Sequence, residues 1–72
     1  MNEAIPKTIR ERRKLLGVDQ KSLARISGIS VHALSDLETG KGNPTLTTVE
    51  KVLDALGMTL IPILRNPEVP DA

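Results

Sequence analysis

Residues 20–39, QKSLARISGISVHALSDLET, constrain this chain more than any other stretch. Apolar Leu23, Ala24 and Ile26 precede Gly28, and Ile29, Leu34 and Leu37 follow it. The spacing predicts two short helices, 20–27 and 31–39, separated by a tight turn. Asp19 and Ser30 stand where an N-cap oxygen is wanted, and Gly28 and Gly40 supply the stops. Ala24 is small enough for two backbones to approach closely, and Gly28 suits a turn in which a Cβ would be strained. With Leu23, Ile29, Leu34 and Leu37 turned inward, Val31, His32, Ser35 and Asp36 are left facing away from the core.

The flanking sequence must supply the surfaces that bury those leucines. Ile5, Ile9 and Leu16, with the intervening Thr8 and Arg12, predict an amphipathic helix over residues 6–16. Pro6 is tolerated in a first turn, where its missing N–H has no partner to lose, and Gly17 ends the helix. Arg10, Arg12, Arg13 and Lys14 form a basic run on it, read either as a solvated face or as a source of phosphate contacts. The stretch GKGNPT (40–45) is a loop by composition. A fourth helix begins at Thr45 or Thr47, where Thr47 and Glu50 have the spacing of a capping box, and carries an apolar stripe of Leu46, Val49, Val52, Leu53 and Leu56. Gly57 ends it.

Residues 58–64, MTLIPIL, break the pattern: they are short, apolar and partly β-branched. A strand fits better than a fifth helix or a packed extended tail, and Pro62 confines it to an edge. One strand in an otherwise helical chain has no mate, so the economical partner is the same strand of a second copy about a two-fold axis. The expected organisation is a domain over residues 1–64, with Met58, Thr59, Leu60, Ile61, Ile63 and Leu64 serving dimerisation, and a disordered tail at 65–72 holding Pro67 and Pro70.

Composition narrows the function classes. A chain of 72 residues buries only about 60% of its unfolded surface. It has no aromatic residue, so ten Leu, six Ile and five Val must form the core. Oligomerisation commonly remedies such a shortage. The absence of cysteine excludes disulfides and thiolate metal sites and fits a reducing cytoplasm. The longest apolar run is too short to span a bilayer, and the acidic, amphipathic N-terminus does not read as a signal peptide. The single histidine has no second His, no Cys and no triad around it, so nothing reads as catalytic, metal-binding or cofactor-binding. The overall charge is only +1, but residues 1–42 hold eight Lys or Arg against five acids, and residues 43–72 hold two against four. That polarity directs an anionic partner toward the N-terminal part, or is ordinary solvated charge.

From about Ile5 to Leu64 the sequence resembles the Cro/cI (XRE) family of helix-turn-helix DNA-binding proteins. The residues that carry the likeness are Arg13, Gln20, Leu23, Ala24, Gly28, Ile29, Ser30, Leu34, Leu37, Glu38, Gly40, Lys41, Asn43 and Pro44, followed by TLTTVEKVLDALG. Ser27 departs from the family's usual Ala or apolar residue. The resemblance implies an all-α, four- to five-helix lambda-repressor-like DNA-binding domain, here with a short C-terminal β-strand pairing across a dimer. It implies base reading by Val31, His32 and Asp36, with Ser35 on the same face. It implies phosphate contacts from Gln20, Ser30, Lys41 and Asn43, and an ion pair between Arg13 and Glu38. Val31 can meet a thymine methyl, His32 can donate to guanine or accept from adenine, and Asp36 can accept from cytosine N4 or instead orient His32 or Lys41.

The ending ALGMTLIPIL is similar to HipB-type antitoxins, which sit beside HipA-type kinase toxins. The expected function is a repressor that binds double-stranded DNA as a homodimer on a palindromic operator, either free-standing or as the antitoxin of a HipA/HipB-like pair. The alternative is a protein–protein adaptor that no longer reads DNA.

Overall fold

The computed structural model describes residues 4–63. Four helices follow one another in it: α1 (Ala4–Leu15), α2 (Gln20–Ser27), α3 (Val31–Thr39) and α4 (Leu46–Ala55). The bounds of α2 and α3 coincide with the expected ones because both ends carry strong local chemistry. Asp19 accepts from the Ser22 amide at 2.7 Å, and Ser30 Oγ accepts from the Ala33 amide at 3.0 Å. Gly28 (φ 73°) and Gly40 (φ 74°) close the helices in the left-handed region that side chains rarely adopt.

Helix α4 starts at the first of the two expected threonines, and the expected capping box is corrected. Thr45 is the N-cap and accepts from the Thr48 amide at 3.1 Å, so the capping box expected from Thr47 and Glu50 does not form. The third position of the first turn is Thr48, whose hydroxyl lies 3.0 Å from that of Thr45. Leu46, the first residue of the helix, is 60% exposed and so stands outside the buried part of the expected stripe. Helix α1 begins earlier than expected and ends at Leu15, with Leu16 in the following turn and exposed.

One cluster holds the fold together: Ile9 of α1, Leu23 and Ala24 of α2, Leu34 and Leu37 of α3, and Val49, Val52, Leu53 and Leu56 from α4 and its cap. Ile5, Val18, Ile29, Ala55 and Met58 pack around it. Helix α3 packs against α1 and α2, and α2 packs against α4. Ala24, 1% exposed, occupies the centre of this arrangement, as close packing of helix backbones requires. Leu23, Leu34 and Leu37 are each essentially inaccessible, and truncating any of them to Ala costs about 2–5 kcal/mol in a core of this kind.

Among the described residues there is no strand. Residues 58–63 carry no regular secondary structure, and the expected strand has no mate within one chain. The first of them is anchored: the Met58 amide donates to the Leu53 carbonyl at 2.8 Å, and its side chain packs on the core. Residues 59–63 are exposed. Leu64, which ends the expected strand, and the expected tail at 65–72 lie outside the described residues.

Candidate nucleic-acid interface

Helix α3 has two faces of opposite character. Its inner face holds Leu34, Leu37 and Glu38, all buried. A buried carboxylate is costly unless its charge and lone pairs are satisfied. Glu38, 1% exposed, meets that demand from two helices at once. Arg13 of α1 donates from Nε to Oε2 at 2.7 Å and from its Nη2 to Oε1 at 3.0 Å, a forked geometry that suits guanidinium and carboxylate. Gln20 of α2 donates its amide to Oε1 at 3.1 Å. The Arg13 guanidinium also donates to the Val18 carbonyl at 3.0 Å, so it spans the α1–α2 connection. The hydrogen bond and charge of Glu38 raise the Arg13 pKa further above its already high ordinary value. One carboxylate thus ties α1, α2 and α3 together.

The outer face presents Val31, His32, Ser35 and Asp36. Val31 and His32 are exposed, His32 at 86% of its side chain. Ser35 and Asp36 are half-buried. His32 Nε2 lies 3.4 Å from Asp36 Oδ2, one helical turn away. A shallow groove of about 330 Å³ runs from this face along the loop into α4; it is lined by Asp36, Lys41, Gly42, Asn43, Thr45 and Thr48, among others. The structure therefore gathers Asp36, Lys41 and Asn43 around one concavity and sets His32 and Asp36 side by side. Ser30 lies at the N-terminus of α3, where its oxygen serves the cap and its hydroxyl proton remains available to donate. Gln20 stands at the head of α2 with one amide N–H committed to Glu38.

The basic run of α1 turns out to be mostly internal. Arg10 donates to the Glu38 carbonyl, Arg12 donates to the Leu56 carbonyl at 3.1 Å, and Arg13 holds the Glu38 carboxylate. Only Lys14 of that run is exposed. Sequence reading missed the Arg10 and Arg12 contacts because their partners lie 28 and 44 residues away and are carbonyls, which leave no mark on residue identity. The Gln20–Glu38 contact was missed for a related reason: Gln20 carries one expected role and fills another. Exposed positive charge in the described residues resides instead on Lys7, Lys14, Lys21, Arg25, Lys41 and Lys51.

Ser27, the residue that departs from the family pattern, is buried beside the turn, and its Oγ has no hydrogen-bond partner among the described residues. No group of three or more His, Cys, Asp or Glu among those residues is placed to hold a metal ion. No helix among them is long and apolar enough to cross a membrane.

Comparison with known proteins agrees with this geometry. The helix-turn-helix family profile matches residues 9–63. The chain is 34% identical over 65 residues to the HTH-type transcriptional regulator PuuR of Escherichia coli, covering 90% of this chain and 35% of that protein. It is 38% identical over 60 residues to the HTH-type transcriptional regulator DdrOP3 of Deinococcus deserti, covering 83% of this chain and 46% of the relative. An uncharacterized HTH-type transcriptional regulator of Haemophilus influenzae is 39% identical over 57 residues, which is 79% of this chain and 58% of that protein. The chain thus spans only between about a third and three fifths of the lengths of these relatives. With four helices in the expected order, a capped turn at Gly28 and a profile match over most of its length, the chain belongs to the helix-turn-helix family, in its Cro/cI (XRE) form.

Proposed function

We propose that this chain is a sequence-specific DNA-binding transcriptional regulator, a repressor that acts as a homodimer on a palindromic operator. The observation that carries the reading is the two-faced α3, whose inner face is fixed by Leu34, Leu37 and Glu38 while Val31 and His32 are exposed on the outside beside half-buried Ser35 and Asp36. A helix held that firmly can present side chains to base edges in a major groove, with Val31 suited to a thymine methyl. Gln20, Ser30, Lys41 and Asn43 act as phosphate contacts: Gln20 keeps one amide N–H to donate, and Lys41 and Asn43 border the groove beside Asp36. The names of the relatives, all HTH-type transcriptional regulators, support the same role.

Dimerisation is assigned to residues 58–64. Leu60, Ile61 and Ile63 are exposed apolar side chains on a segment whose first residue, Met58, is fixed to its own core. Two copies paired there would bury side chains that a lone copy leaves in water. A second partner, a HipA-like kinase toxin with this chain as its antitoxin, rests on the likeness of the ending ALGMTLIPIL to HipB-type antitoxins. A kinase-like reading frame beside its gene would favour that form over a free-standing cytoplasmic regulator.

The test is binding to a duplex selected from a random library, measured against salt. Affinity should fall roughly a hundredfold between about 50 and 200 mM salt, as counterion release from several phosphates dictates. Half-sites should recur about one helical turn apart. Salt-insensitive binding, or no selected sequence, would leave the adaptor reading instead.

A further inference from the structure

The geometry points to His32 and Asp36 acting as one reading unit whose base preference depends on the proton carried by the imidazole. The inference rests on the DNA-reading proposal and deepens it. Asp36 lies one turn C-terminal to His32, and its Oδ2 is 3.4 Å from Nε2. A carboxylate near Nε2 favours a proton on that nitrogen, because an ionised carboxylate only accepts. The remaining ring nitrogen, Nδ1, has no partner among the described residues. It is the atom left to meet a base edge.

Its hydrogen-bonding character is then set by protonation. In the neutral ring Nδ1 is an acceptor and pairs with an exocyclic amine, adenine N6 or cytosine N4. In the imidazolium Nδ1 is a donor and pairs with guanine O6 or N7. Histidine is in general the side chain whose charge changes within the physiological pH range. The ring is open to solvent, with 86% of its side chain exposed, so proton exchange is unhindered.

The charged surroundings bear on this directly. On α3 itself the ionic neighbour of His32 is Asp36. From the loop, Lys41 shares the groove with Asp36. Among the described residues, α1, α2 and α4 contribute no ionic partner to either side chain, and Glu38 on the opposite face is committed to Arg13. When the ring is neutral, the pair carries the single negative charge of Asp36. When the ring is protonated, the pair is neutral overall. Binding to a guanine-bearing site should therefore take up a proton and be strengthened by acid, whereas binding to an adenine- or cytosine-bearing site should not.

The experiment is base selection at the two His32-contacted positions of the palindrome, run with the full chain at about pH 8 and about pH 5.5, on either side of the ordinary histidine range. The wild type should swing from adenine or cytosine toward guanine by about fivefold to tenfold in relative preference, as one hydrogen bond exchanged for another allows. Asp36→Ala should shrink that swing and broaden the preference at both pH values, and His32→Ala should abolish it. In the free protein, through-space NMR contacts between the imidazole protons and the Asp36 β-protons should be present, which tests the pair without DNA. Selective binding with the same preference at both pH values would overturn the inference while leaving DNA reading intact. A swing unchanged in Asp36→Ala would overturn it as well. No selective binding at either pH would overturn the proposed function and this inference with it.

Discussion

Helix α3 carries two acid–base pairs on opposite faces, and they differ in almost everything but chemistry. Glu38 is sealed from solvent, takes a forked contact from Arg13 and a third hydrogen bond from Gln20, and joins three helices. Asp36 is 38% exposed at its side chain and has one ionic neighbour among the described residues, His32, itself almost fully in water. Exposed pairs of this kind are worth little to stability, whereas removing one member of a buried pair strands the other charge. The contrast divides the labour: the inner pair sets where the helix lies, and the outer pair is free to meet something else.

The largest break in that comparison is Glu38→Ala. It leaves the Arg13 guanidinium, 12% exposed, without its carboxylate and removes the hydrogen-bond acceptor of Gln20. The expected cost is about 3–5 kcal/mol, a large share of the stability of so small a domain. Chemical denaturation should register it as a lower midpoint.

Ser27 sharpens the comparison from the other side. It is buried, as Glu38 is, yet its hydroxyl lacks the partners that make Glu38 tolerable. Ser27→Ala should raise stability by about 1 kcal/mol, since an unsatisfied buried hydroxyl carries a desolvation cost with no hydrogen bond to offset it. A loss of stability in the same denaturation assay would mean that the hydroxyl has a partner in solution.

The smallest effect concerns a third carboxylate, Asp19, which lies outside both pairs. The Ser22 amide, donating at 2.7 Å, holds its carboxyl below the ordinary aspartate range. A folded pKa lower than the unfolded one means that the contribution is complete above the unfolded value and is lost as pH falls through the folded one. Asp19→Asn, which keeps a capping oxygen, should flatten the acid limb of the stability curve below about pH 4. Stability above that range should fall slightly, because the charge-dependent part of the cap goes with the carboxylate.

How much of this was legible beforehand follows the range of the interactions. The caps at Asp19 and Ser30 and the turn at Gly28 rest on contacts within a few residues, and they placed α2 and α3 correctly. Leu23, Ala24, Leu34, Leu37 and the α4 stripe from Val49 to Leu56 could be read from periodicity because they share one buried cluster. Thr45 and Thr47 both offered a capping hydroxyl, and local sequence left the choice between them open. The structure selects Thr45. Arginines Arg10 and Arg12 looked like a solvent-facing basic run, yet they serve carbonyls at the ends of α3 and α4. Contacts between distant residues through backbone atoms leave no trace in composition or spacing. The expected strand at 58–64 belongs to another category, because its pairing would require a second copy.

The central claim is that the outer face of α3 reads DNA and the inner face does not. It is tested most directly by replacing Val31, His32 and Ser35 together with Ala, then measuring both unfolding and affinity for the selected duplex. Stability should change by less than about 1 kcal/mol, because surface substitutions away from core and caps are small individually. Affinity for the selected duplex should fall to the level of random DNA, with its salt dependence largely retained because the proposed phosphate contacts are untouched. Full retention of sequence preference in a folded variant would contradict the account.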